Sequence, residues 1–135
     1  MDKRRVVITG LGTVNACGLT APESWEAIRS GKSGITHCSR FDMSEYPAKI
    51  AGELKDFDPT VAVEKHEVKR FDPFILYALV AAKEALVDSG IDLDKTDRDR
   101  AGTLIGSGIG GLLTIEEQHS VLEKRGPRRI SPYFA

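Results

Sequence analysis

The stretch RRVVITGLGTVNACG, from Arg4 to Gly18, gives the first indication of the fold. Its β-branched run Val6–Thr9 stops at Gly10, which is typical of a strand buried on both faces in a parallel sheet. A second stretch, AGTLIGSGIGG, predicts another buried strand at about Thr103–Ser107. Helical patterns separate the two, so the order β-α-loop-α-β-α predicts an α/β class with parallel pairing.

The composition is that of an ordinary globular domain. The chain has 135 residues with a net charge of −1, which gives no sign of nucleic-acid binding or of a membrane surface. Its cysteines, Cys17 and Cys38, lie far apart, so we expect a reducing compartment and no disulfide framework. The N-terminal apolar run, Val6 to Ile8, is too short for a signal peptide or a membrane span. These features predict a soluble, cytoplasmic protein.

A helix is expected directly after the glycine-rich stretch. Thr20 can cap this helix, and Glu23 can reach back to form a capping box. Trp25 and Ile28, three residues apart, would face the core. Gly31 would end the helix.

The most strongly marked helix begins at Asp72. Asp72 can cap it, Pro73 suits its first position, and the sequence FILYALVAAKEALVDSG runs on to a stop at Gly90. One face carries small side chains, which would let another segment pack closely: Ala78, Ala81, Ala82 and Ala85.

The remaining segments are marked less strongly. Residues 32–60 look irregular, although AKIAGEL at 48–54 is compatible with a short strand. Residues 61–70 form a short, charged helical piece. Residues 112–125 have the pattern of an amphipathic helix that Gly126 would end.

The first glycine-rich stretch only partly matches a dinucleotide-binding loop. The G-x-G-x-x-G pattern needs a third glycine for close helix packing, and this chain has Asn15 at that position after Gly10 and Gly12. The predicted helix also begins too late to aim its N-terminus at a phosphate. A structural turn is the favoured interpretation, with a dinucleotide-binding domain kept as an alternative.

Cys17 is a candidate nucleophile only if a base lies near it in space. The three histidines, at positions 37, 66 and 119, occur in polar surroundings. A small buried side chain without a catalytic role is therefore favoured. No spacing of histidine, cysteine or aspartate predicts a metal site.

Several segments together resemble the β-ketoacyl-acyl-carrier-protein synthases, and within them the chain-elongating type II enzymes. They occur in order over nearly the whole chain: RRVVITGLGTVNACG, SWEAIRSGKSGI, Phe41-Asp42, FDPFILYALVAAKEALVDSG, GSGIGG and GPRRISPYF. The resemblance implies a thiolase-like fold of two stacked β-α-β-α-β halves, usually dimeric, of which residues 1–135 would form only the opening part. It implies decarboxylative Claisen condensation in fatty acid elongation, with no cofactor and no metal.

The resemblance also implies roles for particular residues. The family's nucleophilic cysteine and two histidines would come after Ala135, so no catalytic residue is expected here and the chain alone would be inactive. Ile109, flanked by Gly108 and Gly110, matches a residue that gates the acyl pocket. Basic residues match positions that dock the acidic acyl carrier protein: Lys69, Arg70, Arg128 and Arg129. Plain surface charge and a packed strand-to-helix turn are the corresponding structural alternatives. A non-catalytic, truncated or partner-dependent protein is the alternative for the chain as a whole.

Overall fold

The computed structural model describes Lys3 and residues 5–134, so Met1, Asp2, Arg4 and Ala135 lie outside it. The helices are α1 (Ala21–Arg29), α2 (Pro73–Ser89) and α3 (Leu112–Arg125), and the strands are β1 (Ile35–His37) and β2 (Ile50–Gly52). Short 3₁₀ turns occur at Pro59–Val61, Val68–Arg70, Arg98–Arg100 and Pro127–Arg129.

The helix boundaries follow the capping signals in the sequence. In α2, the Asp72 carboxylate accepts from the Phe74 backbone N–H, and Gly90 closes the helix with φ 61°. In α1, the Thr20 hydroxyl accepts from the Glu23 N–H at 3.3 Å. The Glu23 carboxylate reaches back to the Leu19 N–H at 2.9 Å. The predicted capping box is therefore confirmed, with the returning bond one residue earlier than the standard pattern.

The prediction of which face of α1 packs against the core is wrong. Trp25 and Ile28 are 65% and 61% exposed, whereas Ser24 and Ala27 are buried. The reason lies at Gly18, where an added Cβ would lie 2.6 Å from the Ser24 backbone nitrogen. The helix packs against the preceding turn through its small residues, because only a face without bulky side chains permits so close an approach.

The first glycine-rich stretch packs directly on the backbone of α2. A Cβ added at Gly10 would overlap the Ala85 carbonyl oxygen, and one added at Gly12 would overlap the Ala81 carbonyl oxygen. The small face of α2, predicted to allow close packing, therefore receives this segment. The G-x-G pattern serves this contact, which accounts for both glycines without a nucleotide.

Two carboxylates of α2 lock the same segment in register. Asp88 accepts from the Leu11 N–H at 2.8 Å, and Glu84 accepts from the Thr13 N–H at 2.9 Å. Two extended residues advance about 6.6 Å and four helical residues about 6 Å, so the spacings match. Glu84 also accepts from the Ala21 N–H at 2.7 Å, and so joins α2 to the start of α1.

The two predicted parallel strands are wrong. Among the described residues, the sheet consists of β1 and β2 alone, paired antiparallel with Thr36 opposite Ala51. Val6–Thr9 and Thr103–Ser107 form no ladder, and Val6 and Leu104 are 87% and 99% exposed. A strand needs a neighbour to satisfy its backbone groups, and neither segment has one in the described part of the chain. The short strand expected within AKIAGEL is confirmed as β2, whereas β1 falls in a region predicted to be irregular.

Little apolar surface is fully covered. Ala27 and Leu76 are the buried hydrophobic residues of the described chain. The accessible surface is 11526 Å², whereas a compact monomer of this mass exposes about 6,900 Å². The chain as described thus presents far more surface than a self-contained domain of its size.

Candidate functional site

The four basic residues singled out in the sequence lie on two short 3₁₀ turns. Lys69 and Arg70 belong to the turn Val68–Arg70, and Arg128 and Arg129 to the turn Pro127–Arg129. All four side chains are exposed. Exposed guanidinium and ammonium groups keep their charge and can attract an acidic partner.

The structure brings the segments that carry these residues together. The Arg70 guanidinium lies 5.9 Å from the centre of the Tyr133 ring, within the range of a cation–π contact. The Ser131 N–H donates to the Gln118 side-chain oxygen at 2.7 Å, which attaches the segment after Arg129 to α3. Two clusters that are about 60 residues apart in sequence therefore lie on adjoining segments.

A pocket of about 300 Å³ lies beside Arg70. Its wall combines the first turns of α2 and α3 with the segment that follows the second basic turn. The lining residues include Asp72, Phe74, Ile75, Thr114, Tyr133 and Phe134. The pocket marks the place where the two helix starts and both basic segments meet.

Asp72 joins the two helix starts. One carboxylate oxygen caps α2 through the Phe74 N–H, and the other accepts from the Thr114 hydroxyl at 2.7 Å and the Thr114 N–H at 3.2 Å. Gly111, the residue before α3, has no side chain with which to cap that helix. Asp72 supplies the missing cap from 42 residues away.

The Gly108–Ile109–Gly110 turn precedes that junction. Ile109 is 76% exposed, so no acyl pocket encloses it in the described part of the chain. Gly110 has φ 81°, a left-handed conformation that favours glycine, and faces the Phe74 ring. The turn thus leads into the junction formed by Asp72 and Thr114.

Cys17 and Cys38 are free and half-buried. The Cys17 N–H donates to the Asn15 side chain within a tight turn, and no histidine accompanies the thiol in the pocket that it lines. His119 is an exposed residue of α3, 3.8 Å from Glu123. In residues 5–134, no three histidine, cysteine or acidic side chains converge as metal ligands would.

Glu53 is a buried carboxylate that the sequence did not single out. Hydrogen bonds from the Cys38 thiol, then from the Ser39 hydroxyl and N–H, and from the Arg40 N–H lower the pKa of Glu53 to about 2. The thiol lies 3.1 Å from the carboxylate and the Ser39 hydroxyl 2.7 Å. Glu53 fixes the loop after β1, because all of its hydrogen bonds go to residues 38–40. The sequence does not predict this role, because a single glutamate near the end of AKIAGEL has no distinctive pattern around it.

Sequence reasoning found the residues of the basic segments but missed Thr114 and the second role of Asp72. The available signal was α3 itself, whose start at Gly110-Gly111 offers no capping side chain. A helix that lacks its own cap needs a donor or acceptor from elsewhere in the chain.

Comparison with known proteins decides the family. The family model described as beta-ketoacyl synthase, N-terminal domain, matches residues 3–135. The chain belongs to this family. The resemblance recognised in the sequence is therefore confirmed over practically the whole chain.

Curated relatives of this beta-ketoacyl synthase domain carry the name 3-oxoacyl-[acyl-carrier-protein] synthase 2. The proteins of Coxiella burnetii and Vibrio harveyi are each 44% identical over 134 residues, which is 99% of this chain and 32% of the relative. The protein of Staphylococcus aureus strain COL is 44% identical over 133 residues. The chain spans about a third of the length of these relatives.

Solved structures confirm the fold. The ishigamide ketosynthase/chain length factor superposes with a TM-score of 0.76 at 26% identity, over 98% of this chain and 33% of that one. A type II PKS ketosynthase in complex with its acyl-carrier protein superposes with a TM-score of 0.77 at 27% identity, over 97% and 34%. The expected thiolase-like α/β class is confirmed, although the expected parallel strand pair is absent from the described residues. None of the described helices is both long and apolar enough to cross a membrane.

Proposed function

We propose that this chain is the N-terminal portion of a longer 3-oxoacyl-[acyl-carrier-protein] synthase of fatty acid elongation. The observation that carries the proposal is the 44% identity to synthase 2 of Coxiella burnetii over 99% of this chain. The polyketide ketosynthase found with its carrier protein is 27% identical. The difference favours fatty acid elongation over polyketide synthesis.

The exposed apolar surface supports a longer protein. The segments predicted as buried strands leave Val7, Ile8 and Ile105 between 57% and 83% exposed. Apolar segments of this kind are stable when neighbouring strands cover both faces. Further strands of the same protein would supply that cover.

The reaction of the complete enzyme would be a decarboxylative Claisen condensation. An acyl group passes from its carrier protein to a cysteine thiolate and forms a thioester. Malonyl-carrier protein loses carbon dioxide, and the resulting carbanion attacks the thioester carbonyl, forms the new carbon–carbon bond and releases the thiolate. The nucleophilic cysteine and two histidines would lie after Ala135, so Cys17 takes no part.

In this scheme the described residues would bind the carrier protein and select the acyl chain. Ile109, between Gly108 and Gly110, would gate the acyl pocket beside the nucleophile. The four exposed basic residues would dock the acidic carrier protein: Lys69, Arg70, Arg128 and Arg129. Their placement on adjoining segments supports the docking role, because one acidic surface can meet both clusters. The complete enzyme would be a cytoplasmic homodimer.

Charge reversal tests the docking role. In the complete synthase, Arg128→Glu with Arg129→Glu should weaken carrier-protein affinity about tenfold at low salt, because two attractions become repulsions. Arg98→Glu with Arg100→Glu, on another exposed 3₁₀ turn, is the matched control and should change affinity little. Equal affinities of the wild type and the Arg128/Arg129 variant at low salt would refute the docking assignment.

Activity tests the larger proposal. The complete protein should condense acyl- and malonyl-carrier protein with release of carbon dioxide, and the purified 135-residue chain should not. Condensation by the chain alone would show that its nucleophile lies within it. A complete protein without activity would support the non-catalytic alternative.

A further inference from the structure

We propose that Asp72 and Thr114 are positioning residues, which hold the turn carrying Ile109 and join it mechanically to the basic segments. The inference rests on the proposed function, because it assigns a task to the gate and the docking surface assumed there. It adds a pair of residues that control how freely the gate moves.

Asp72 and Thr114 are joined by two hydrogen bonds to the same carboxylate oxygen. One carboxylate oxygen receives both the hydroxyl and the N–H of Thr114, at 2.7 and 3.2 Å. Hydrogen bonds to an ionised acceptor are about twice as strong as neutral ones. Both residues are half-buried, which limits competition from water. The pair therefore ties the starts of α2 and α3 together.

This contact fixes one end of the Ile109 turn. A Cβ added at Gly111 would lie 3.0 Å from the Asp72 carboxylate oxygen, so the backbone there is pressed against Asp72. Gly110 rests on the Phe74 ring, and its φ of 81° sets the direction in which the chain leaves Ile109. Upstream, Gly106 and Gly108 have open space where a Cβ would be. Within the described chain, the turn is therefore anchored on its C-terminal side, by Asp72 and Phe74.

The basic segments reach the same junction. Arg70 precedes Asp72 by two residues and lies over Tyr133. The segment with Tyr133 is in turn bonded to α3 through Ser131 and Gln118. A partner that orders the basic side chains therefore acts on the elements that hold the Ile109 turn. Loss of the Asp72–Thr114 contact should free the turn and let Ile109 move aside more readily.

The test compares acyl-chain selectivity in the complete synthase. Thr114→Val removes the hydroxyl and keeps the branched shape, Asp72→Asn weakens the acceptor, and Thr114→Ser restores a hydroxyl. The matched controls are Asp58→Asn and Thr60→Val, because Asp58 accepts from the N–H and hydroxyl of Thr60 in the same way on a different turn. The readouts are kcat/KM for hexanoyl- and tetradecanoyl-carrier protein, hydrogen exchange at residues 106–111, and the melting temperature.

We expect Thr114→Val and Asp72→Asn to raise the tetradecanoyl-to-hexanoyl ratio of kcat/KM about threefold to tenfold, the range for partial loss of one charged hydrogen bond. Exchange at residues 106–111 should quicken by a similar factor, Thr114→Ser should restore both values, and the controls should change neither. An unchanged ratio and unchanged exchange beside a lowered melting temperature would reduce Asp72 to a helix cap and overturn the proposal. An inactive wild-type synthase would instead overturn the proposed function. If Asp72→Asn does not fold, the comparison of Thr114→Val with Thr114→Ser tests the proposal.

Discussion

Two glycine-rich stretches of this chain look alike in sequence and behave differently in the structure. At Gly10 and Gly12, an added Cβ would overlap backbone atoms of α2, whereas at Gly102, Gly106 and Gly108 it would meet nothing within 4 Å. The first stretch uses glycine to bring two backbones together. In the second stretch no described atom approaches those three glycines, and the contacts are confined to Gly110 and Gly111, which face Phe74 and Asp72. Glycine content alone therefore does not show which glycines of a stretch pack against another backbone.

The largest effect should come from a methyl group added to the packed stretch. Gly12→Ala places a Cβ against the Ala81 carbonyl and should lower the free energy of unfolding by about 3 kcal/mol, because neither backbone can withdraw without losing its other contacts. Gly108→Ala is the matched control and should change it by less than about 0.5 kcal/mol. Urea unfolding measures both, with soluble yield as the readout for a variant that fails to accumulate. Equal losses in the two variants would remove the distinction between the stretches.

A second, smaller effect should follow from unlocking the packed stretch while keeping its glycines. Glu84→Ala leaves the Thr13 and Ala21 N–H groups without their acceptor and should cost about 2 kcal/mol, since bonds to a charged group are the stronger kind. The control is Glu116→Ala, an exposed position on α3, which should cost little. Urea unfolding with faster hydrogen exchange at residues 11–13 would support the lock. A loss no greater than that of the control would show that steric packing alone holds the stretch.

Local signals in the sequence were sufficient where the structure is local. Asp72-Pro73 and Gly90 fixed both ends of α2, and Thr20 with Glu23 fixed the start of α1, because caps act within a few residues. The buried face of α1 could not be predicted. The spacing of Trp25 and Ile28 shows that they share one side of the helix, but not whether that side packs against the rest of the chain.

Features that depend on distant partners could not be predicted. Val6–Thr9 and Thr103–Ser107 have the composition of strands, but a ladder requires a neighbouring strand that the described chain does not supply. The Asp72–Thr114 contact of the candidate site spans 42 residues. The resemblance to a family located the basic residues and Ile109 but gave no indication of what holds them.

The smallest expected effect concerns the strands beside the packed stretch and appears only in acid. Glu53 directly follows β2, whose last residue, Gly52, has an added Cβ 3.3 Å from Ala16 of the first glycine-rich stretch. The folded state lowers the pKa of Glu53 from 4.5 to about 2, with the Cys38 thiol as the largest cause. A lowered carboxylate pKa stabilises the fold above the unfolded value, and that stability is lost as pH falls from about 4.5 towards 2.

Glu53→Gln should therefore flatten the pH dependence of the free energy of unfolding between these two pH values. Cys38→Ala should narrow the pH range over which stability is lost, whereas Cys38→Ser, which retains a hydrogen-bond donor, should largely preserve that range. A wild-type curve that is already flat between these pH values would mean that the thiol and hydroxyl donors do not hold the carboxylate.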